Sequence, residues 1–177
     1  MKFTLIEPKE YFHHCVAALR AAVDPTWVAR TAIPLNEAFG SSYLQGRAVA
    51  LDQEEKVVTL EDGQRISFSH CVISVGSLGP HPARSCQVSV SELESDCRDL
   101  SEAVTAAKNI LIVGGGPVGV ELAGEIVELH NDKSITIVSA SEKLVTPDFD
   151  EKFQNCIKWL IEQNNVKVMK TFYLHFT

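Results

Sequence analysis

The spacing of apolar and polar residues predicts alternating strands and helices in the second part of the chain. An apolar run from Asn109 to Val113 is followed by a glycine loop, a helical pattern from about Pro117 to His130, and the apolar strand "SITIVS". A second helical pattern, "DFDEKFQNCIKWLIEQNN", leads into a short strand, "VKVMK". This βαβαβ order is typical of a doubly wound parallel sheet, an α/β fold.

The first part of the chain carries shorter runs. "KFTLIEP" predicts a strand that ends at Glu7, and "HHCVAALRAAV" predicts a helix. "GRAVALDQEEKVVTLEDGQRISF" predicts a β-meander of three strands with a hairpin turn at Asp62-Gly63. The run from Cys71 to Val75 predicts a short buried strand.

A surface helix is predicted at residues 91–108, and we expect it to link the two parts. Its apolar face is formed by Leu93, Cys97, Leu100 and Val104. In the helix after the glycine loop, the stripe expected to pack on the sheet is Val118, Leu122, Ile126 and Leu129. A second stripe on that helix is acidic and consists of Glu121, Glu125 and Glu128.

Composition indicates a globular protein and argues against nucleic-acid binding and against cysteine-based sites. Of the 177 residues, 45% are hydrophobic, which is enough to bury a core. The formal net charge of −7 leaves no basic excess for binding nucleic acid. Five cysteines without a CxxC pair argue against a zinc ribbon, a redox dithiol and a disulfide scaffold. Because His13, His14 and Cys15 are adjacent and would point to different sides of a helix, no metal site is predicted.

Targeting signals are not evident in the sequence. The stretch "MKFTLIEPKEYF" has no signal-peptide core and no glycine for myristoylation, so we expect a cytoplasmic protein without a lipid anchor. The apolar stretch from Ile110 to Leu129 contains consecutive glycines and several glutamates, and it is not expected to span a membrane. The sequence also contains no nucleophile elbow, Walker loop or HExxH motif, so neither hydrolase nor kinase chemistry is supported.

The glycine loop is the clearest chemical motif. Gly114, Gly116 and Gly119 satisfy GxGxxG between a strand and a helix, the context in which this motif binds a dinucleotide. Pro117 suits the first position of the helix, where its missing N–H is not needed. The alternative is a glycine-rich turn without a ligand. The loop residues assigned to nucleotide binding are Gly114, Gly115, Gly116, Pro117, Val118 and Gly119.

The second strand ends at Ser139, about 20 residues after Gly119, where an acidic residue would hold the ribose of NAD. Ser139 is neutral and does not repel a 2′-phosphate, and Lys143, or less plausibly Lys133, could attract one. We therefore expect NADPH to be tolerated beside NADH. The alternative for Lys143 is an ordinary solvated lysine in a loop.

Several stretches together resemble a known family over Phe3 to about Lys170. They are "LIEPKEYFHHCVAALRAAV", the meander, "ISFSHCVISVGSLGPHP", "ILIVGGGPVGVELAGEI", "ITIVSASEKL" and "CIKWLIEQNNVKVM". In this order they resemble the flavoprotein pyridine nucleotide oxidoreductases, and among these the apoptosis-inducing-factor-like and ferroptosis-suppressor group. The resemblance implies FAD and NAD(P)H as cofactors, a quinone-type electron acceptor, and membrane association in full-length relatives.

The resemblance also implies roles for individual residues. Glu7 would hold the adenosine ribose of FAD, Arg20 would lie near the flavin, and the backbone at Ala48 would contact the adenine. Gly76, in a stretch similar to the family's ATG motif, would let the chain approach FAD. Glu121 would point toward the nicotinamide side of the NAD(P) site. No side chain is expected to act as a catalytic acid or base, because the cofactors carry the chemistry.

These expectations define an α/β protein with two truncated Rossmann-like units, the first containing the β-meander. Residues 1–90 are expected to form a partial FAD-binding domain, 91–108 a linker helix, and 109–177 an incomplete NAD(P)-binding unit. The expected function is that of an FAD-dependent NAD(P)H:quinone-type oxidoreductase. Because the FAD glycine loop is missing, the alternative is a non-catalytic fragment that binds only a nucleotide or a partner chain.

Overall fold

The computed structural model describes residues 2–77, 79 and 81–170. The chain forms two compact units: unit 1 contains the residues up to Ala18 and Val28–Ser95, and unit 2 contains Leu19–Trp27 and the residues from Asp96 onward. The elements in chain order are β1 (Leu5–Glu7), β2 (Tyr11–His13), α1 (Ala18–Val23), α2 (Val28–Thr31), β3 (Ala32–Pro34), α3 (Leu35–Phe39), β4 (Tyr43–Gln45), β5 (Ala48–Asp52), β6 (Val57–Leu60), β7 (Arg65–Ser67), α4 (Val90–Ala106), β8 (Asn109–Val113), α5 (Pro117–Leu129), β9 (Ser134–Ser139), α6 (Glu151–Gln163) and β10 (Val166–Lys170).

Unit 2 contains a parallel sheet with the strand order β10-β9-β8. All three strands have the bounds that the apolar runs predict, so the α/β fold class is confirmed. Helix α6 begins later than the pattern suggests, at Glu151, because the carboxylate of Asp150 accepts a hydrogen bond of 2.8 Å from the backbone N–H of Phe153.

The core of unit 2 lies between this sheet and its helices, and it includes Ile112, Ile137, Ala123 and Ile126. The predicted apolar stripe of α5 is partly wrong. Leu122 and Ile126 contribute to the core, but Val118 and Leu129 are exposed, and Ala123 is buried instead. The reason is steric: α5 approaches β8 at Gly119, and residues four and seven positions later share that face of a helix.

Unit 1 is built from small sheets. Strands β1 and β4 pair in parallel, with Glu7 opposite Gln45, and β2 pairs antiparallel with β3. Strands β5, β6 and β7 form the antiparallel meander that the sequence predicts, and Gly63 takes a φ of 87° in its hairpin turn.

The predicted helix from His13 to Val23 is wrong in its first half. His13 belongs to β2 and pairs with Ala32, while the N–H of His14 donates to the carbonyl of Thr31 at 2.8 Å. The helix starts only at Ala18. Pairing with a distant strand therefore overrides the local helical pattern, a contact that a short window of sequence does not contain.

The predicted buried strand from Cys71 to Val75 is also wrong. The segment forms no strand, and Val72, Ile73 and Val75 are 89%, 69% and 91% exposed. A strand needs a neighbour that accepts and donates its backbone hydrogen bonds, and none of the described strands pairs with this segment.

Helix α4 confirms the predicted surface helix, with Leu93, Cys97 and Val104 buried. A capping box precedes it: Glu92 accepts from the N–H of Ser89 at 3.0 Å, and the Ser89 hydroxyl accepts from the N–H of Glu92 at 3.3 Å. Hydrogen bonds donated to its carboxylate by the N–H and the hydroxyl of Ser89 and by the N–H of Val88 hold the pKa of Glu92 below its usual range. Among the residues that the structure describes, every helix is too short or too polar to traverse a lipid bilayer.

Truncation of the unit 2 core tests this packing. Ile137 has 0% exposure, so Ile137→Ala should lower the free energy of unfolding by about 2–5 kcal/mol. Leu111→Ala is the matched control on the adjacent strand, where 61% of Leu111 is exposed, and it should change the stability by less than about 1 kcal/mol. Urea denaturation measures both, and equal losses would contradict the described core.

Candidate functional site

The glycine loop follows directly from β8 in unit 2. Gly114 takes a φ of 116°, which residues with a side chain rarely adopt, and its N–H donates to the carbonyl of Val138 at 2.8 Å. The carbonyl of Gly115 accepts from the N–H of Val145 at 2.8 Å. The loop is therefore fixed by backbone bonds to β9 and to the loop that follows β9.

Steric constraints differ among the other glycines of the loop. A Cβ at Gly119 would collide with the carbonyl oxygen of Gly114, so only glycine fits at this position. A Cβ at Gly115 would lie 2.7 Å from the hydroxyl oxygen of Ser139. At Gly116, in contrast, the nearest atom is the carbonyl oxygen of Val145 at 4.0 Å. Open space therefore lies beside the loop at Gly116, where GxGxxG loops receive a pyrophosphate.

The first turn of α5 faces this space without a side-chain cap. Gly116 is the N-cap residue, Pro117 is the first helical residue, and the first helical bond runs from the N–H of Val120 to the carbonyl of Gly116. The N–H groups of Val118 and Gly119 precede that bond and have no acceptor within the helix. Uncapped N–H groups at the positive end of a helix suit an anion, so this loop fits a dinucleotide pyrophosphate.

Ser139 is buried at the carboxyl end of β9. Its hydroxyl lies against Gly115 and accepts a hydrogen bond of 3.3 Å from the N–H of Ser141. The Ser139 side chain therefore packs against the glycine loop at Gly115, a role that the sequence motif did not indicate. Its neutrality, on which the expected tolerance of NADPH depends, is unchanged by this packing.

The loop after β9 also contains Lys143. The Lys143 ammonium donates to the carbonyl of Pro147 at 3.2 Å, and its backbone N–H donates to the hydroxyl of Ser141 at 3.1 Å. The side chain is therefore on the same loop as Ser141, immediately after the strand that ends at Ser139.

Lys133 is placed differently, and the idea that it attracts a 2′-phosphate is wrong. It precedes β9, so it lies at the opposite end of that strand from Ser139, roughly 20 Å away. Its side chain is buried, and the ammonium donates to the carbonyl of Thr105 at 2.8 Å. Lys133 joins α4 to the start of β9 instead.

The acidic stripe of α5 is partly neutralised by Arg20. The Arg20 guanidinium forms an ion pair with Glu125 and another with Glu128 at 2.8 Å, and it lies over the ring of Trp27 at 5.5 Å. Glu121 is one turn nearer the glycine loop. Burial, and then the neighbouring charge of Glu125, raises the pKa of Glu121. All five residues belong to unit 2.

In unit 1, a backbone hydrogen bond links Glu7 to the segment that contains Ala48, and both residues are expected near FAD. Glu7 ends β1, its carboxylate accepts from the N–H of Lys9 at 3.1 Å, and its carbonyl accepts from the N–H of Gly46 at 3.1 Å. Ala48 begins β5 two residues after Gly46 and is exposed. Gly76 has a φ of 70°, and no atom of the described residues, apart from its chain neighbours, lies within 4 Å of where a Cβ would be. The GxGxxG sequence of the chain is in unit 2, and the sequence of unit 1 contains none.

A half-buried histidine in unit 1, His13, was not singled out as a titrating group by the sequence. Burial, followed by the nearby charges of Lys9, Arg84, His14 and His81, lowers the pKa of His13 to about 4. Neither ring nitrogen has a hydrogen-bond partner among the described residues. His13 is therefore neutral at pH 7. Pairs of histidines in a sequence carry no signal for such burial.

The described residues contain no cluster of three or more histidine, cysteine, aspartate or glutamate side chains that could bind a metal ion.

Replacement of two glycines in one helix tests the loop geometry. Gly119→Ala should lower the free energy of unfolding by about 3 kcal/mol or more, because the added methyl group collides with Gly114. Gly124→Ala is the matched control, since outside its own helix backbone no atom of the described residues lies within 4 Å of its Cβ position. Alanine there should stabilise the protein by about 0.5–1 kcal/mol. The described contact between helix and loop would be refuted by a stable Gly119→Ala protein.

His13 gives a test by pH. Its folded pKa of about 4 is below the ordinary value of 6.5, so between these values the unfolded chain binds more protons. The free energy of unfolding should therefore fall as the pH is lowered from 6.5 to 4. His13→Leu should flatten this slope, whereas His70→Leu, at an exposed position, should not. Unfolding curves of the unchanged protein and both variants across that range measure the slopes. Identical slopes for all three proteins would exclude a neutral His13 with buried ring nitrogens.

Comparison with known proteins identifies the family to which these features belong. Residues 4–172 match the family described as pyridine nucleotide-disulphide oxidoreductase. The chain is 33% identical over 170 residues to ferroptosis suppressor protein 1 of Taeniopygia guttata, with 94% of this chain and 45% of that protein covered. It is 35% identical over 175 residues to apoptosis-inducing factor homolog B of Dictyostelium discoideum, with the same two shares covered.

A third relative is the FAD-dependent oxidoreductase FVFD30 of Flammulina velutipes, which is 35% identical over 134 residues and covers 70% of this chain and 40% of its own length. The chain thus spans less than half the length of these relatives.

Solved structures agree with the fold. The water-forming NADH oxidase from Lactobacillus brevis, bound to NADH, has a TM-score of 0.68 at 21% identity, covering 93% of this chain and 40% of that one. An engineered NADPH oxidase derived from it and bound to NADPH has a TM-score of 0.67 at 18% identity, covering 96% and 40%. The family match extends over nearly the whole chain, and the protein belongs to the pyridine nucleotide-disulphide oxidoreductase family.

Proposed function

We propose that the protein acts as an FAD-dependent NAD(P)H oxidoreductase with a quinone-type electron acceptor. The observation that carries the proposal is the uncapped start of α5 beside the open space at Gly116, which suits a dinucleotide pyrophosphate. The family assignment supports FAD and NAD(P)H as the cofactors. When bound, NAD(P)H supplies a hydride and FAD accepts it.

In unit 2, we assign the binding of NAD(P)H to the loop from Gly114 to Gly119. The N–H groups of Val118 and Gly119 would donate to phosphate oxygens, and Gly116 would allow the phosphates to approach the backbone. Glu121 would lie toward the nicotinamide, where its raised pKa makes it easier to protonate than an ordinary glutamate. The protein then orients the nucleotide, and no side chain is needed as an acid or a base.

In unit 1, we assign the binding of FAD to Glu7, the backbone at Ala48, and Gly76. The position of Glu7 at the end of a parallel strand supports this role, because a carboxylate there can accept from the ribose hydroxyls. The open space at Gly76 supports a close approach of the ligand to the backbone. Arg20 is also assigned a position near the flavin. Its side chain forms ion pairs with Glu125 and Glu128 of α5.

A second candidate function is the binding of a pyridine nucleotide without flavin chemistry. It is favoured by one observation: unit 2 contains the one GxGxxG motif of the chain. The proposed NAD(P)-binding domain is therefore equipped for a pyrophosphate, whereas the described residues of the proposed FAD-binding domain offer a ribose contact at Glu7 and backbone contacts. The two candidates agree on the site in unit 2 and differ in whether unit 1 binds FAD.

A nucleotide titration with one variant tests the site. The unchanged protein should bind NADH and NADPH in calorimetry. Gly116 has a φ of −75°, which alanine adopts freely, so Gly116→Ala should fold with an unchanged free energy of unfolding. Its affinity for both nucleotides should nevertheless fall about tenfold or more, because the methyl group occupies the space for the phosphates.

Gly124→Ala, in the same helix, serves as the control and should bind as the unchanged protein does. If the unchanged protein binds neither nucleotide, the proposed site in unit 2 is ruled out. Titration with FAD in the same experiment separates the two candidates: uptake of FAD with flavin absorbance supports the oxidoreductase, and nucleotide binding without it supports the second candidate.

A further inference from the structure

The loop after β9 contains one carboxylate between Ser139 and Pro147, that of Glu142. Its oxygen accepts a hydrogen bond of 2.7 Å from the ammonium of Lys170, the last residue of β10. The hydrogen bond and charge of Lys170, followed by the charge of Lys158 in α6, hold the pKa of Glu142 below its usual range. Lys170 thus bonds this carboxylate directly, and Lys158 acts on it through its charge alone.

Lys143 is the next residue and is bonded differently. Its ammonium donates to the carbonyl of Pro147, a group without net charge. Within this loop, the negative charge of Glu142 is therefore balanced by Lys170, while the positive charge of Lys143 is not balanced by the carbonyl it binds. The segment from Ser139 to Pro147 thus has no unpaired carboxylate.

The loop after β9 lies at the end of the sheet where the ribose of a dinucleotide is expected, so its charges bear on nucleotide binding. In doubly wound folds, the adenosine ribose of a dinucleotide lies at the carboxyl end of the second strand, which is β9 in unit 2. A bare carboxylate at that end repels the 2′-phosphate of NADPH. Ser139 supplies no carboxylate, so Glu142 is the nearest acidic residue along the chain.

We propose that Lys170 is a specificity-determining residue that neutralises Glu142 and so lets unit 2 bind a 2′-phosphorylated dinucleotide as well as an unphosphorylated one. This inference rests on the proposed nucleotide site at the glycine loop. Lys170 acts through Glu142 and is a positioning residue. Its effect is confined to the difference between the two nucleotides, because NADH has no charge at the 2′ position.

The size of the effect follows from exposure. The side chains of Lys170 and Glu142 are 37% and 76% exposed, and ion pairs between exposed side chains are weak. Removal of Lys170 should therefore change the ratio of the two nucleotide affinities by about two- to fivefold. The change should disappear at about 1 M salt, where the Debye length is about 3 Å.

The test is a set of calorimetric titrations of the full chain with NADH and with NADPH. Lys170→Met should weaken NADPH binding about two- to fivefold and leave NADH binding unchanged. Glu142→Gln should bind both nucleotides at least as well as the unchanged protein. The double variant should behave like Glu142→Gln, because without the carboxylate there is nothing for Lys170 to neutralise. Lys170→Arg should restore the unchanged ratio.

Lys167→Met is the matched control, since it removes the same charge from an exposed position on the same strand and should not change the ratio. Three results would overturn the inference: equal weakening of both nucleotides by Lys170→Met, no weakening of either, or a loss that persists in the double variant. The last result would mean that Lys170 contacts the phosphate directly. Failure of the unchanged protein to bind NADH would instead refute the proposed site, and the inference with it.

Discussion

The close approach of α5 to the end of β8 is the contact on which unit 2 depends. It requires glycine at position 119, because any side chain there would overlap the carbonyl of Gly114. This contact sets the rotation of α5, and through it the burial of Ala123 and Ile126 against the sheet. It also directs the first turn of the helix at the open space beside Gly116. A single steric constraint thus links the packing of the core to the geometry of the phosphate site.

Charge is arranged around that site in two zones. The start of α5 presents uncapped N–H groups and the partial positive charge of a helix end, while carboxylates follow along the same helix. Arg20 offsets the carboxylates farthest from the loop, at Glu125 and Glu128. Burial and the charge of Glu125 raise the pKa of Glu121, the carboxylate nearest to the loop. The loop after β9 follows the same arrangement, with Lys170 offsetting Glu142. Both arrangements reduce the repulsion of an anionic ligand in a chain whose net charge is −7.

The sequence predicted unit 2 better than unit 1, because the elements of unit 2 are specified by local patterns and those of unit 1 depend on contacts between residues distant in sequence. Strands β8, β9 and β10 and the glycine loop are specified by local periodicity and spacing, so their bounds and order could be predicted. The strand at His13 depends on pairing with Ala32, and the run at Cys71 needed a neighbouring strand that the described residues do not provide. Two further contacts join residues that are distant in sequence, and no sequence motif predicts them. They are the packing of Ser139 against Gly115 and the pairing of Glu142 with Lys170.

The outward face of the sheet in unit 2 has a consequence for the thermodynamics of unfolding. Leu111, Val113 and Met169 are exposed on strands of a parallel sheet, a type of sheet that is usually covered on both faces. Because these apolar side chains are already hydrated in the folded chain, unfolding adds little new contact between them and water. The heat capacity change of unfolding and the denaturant m-value both scale with newly exposed surface. Both quantities are therefore smaller for this unit than for a parallel sheet of equal length that is covered on both faces.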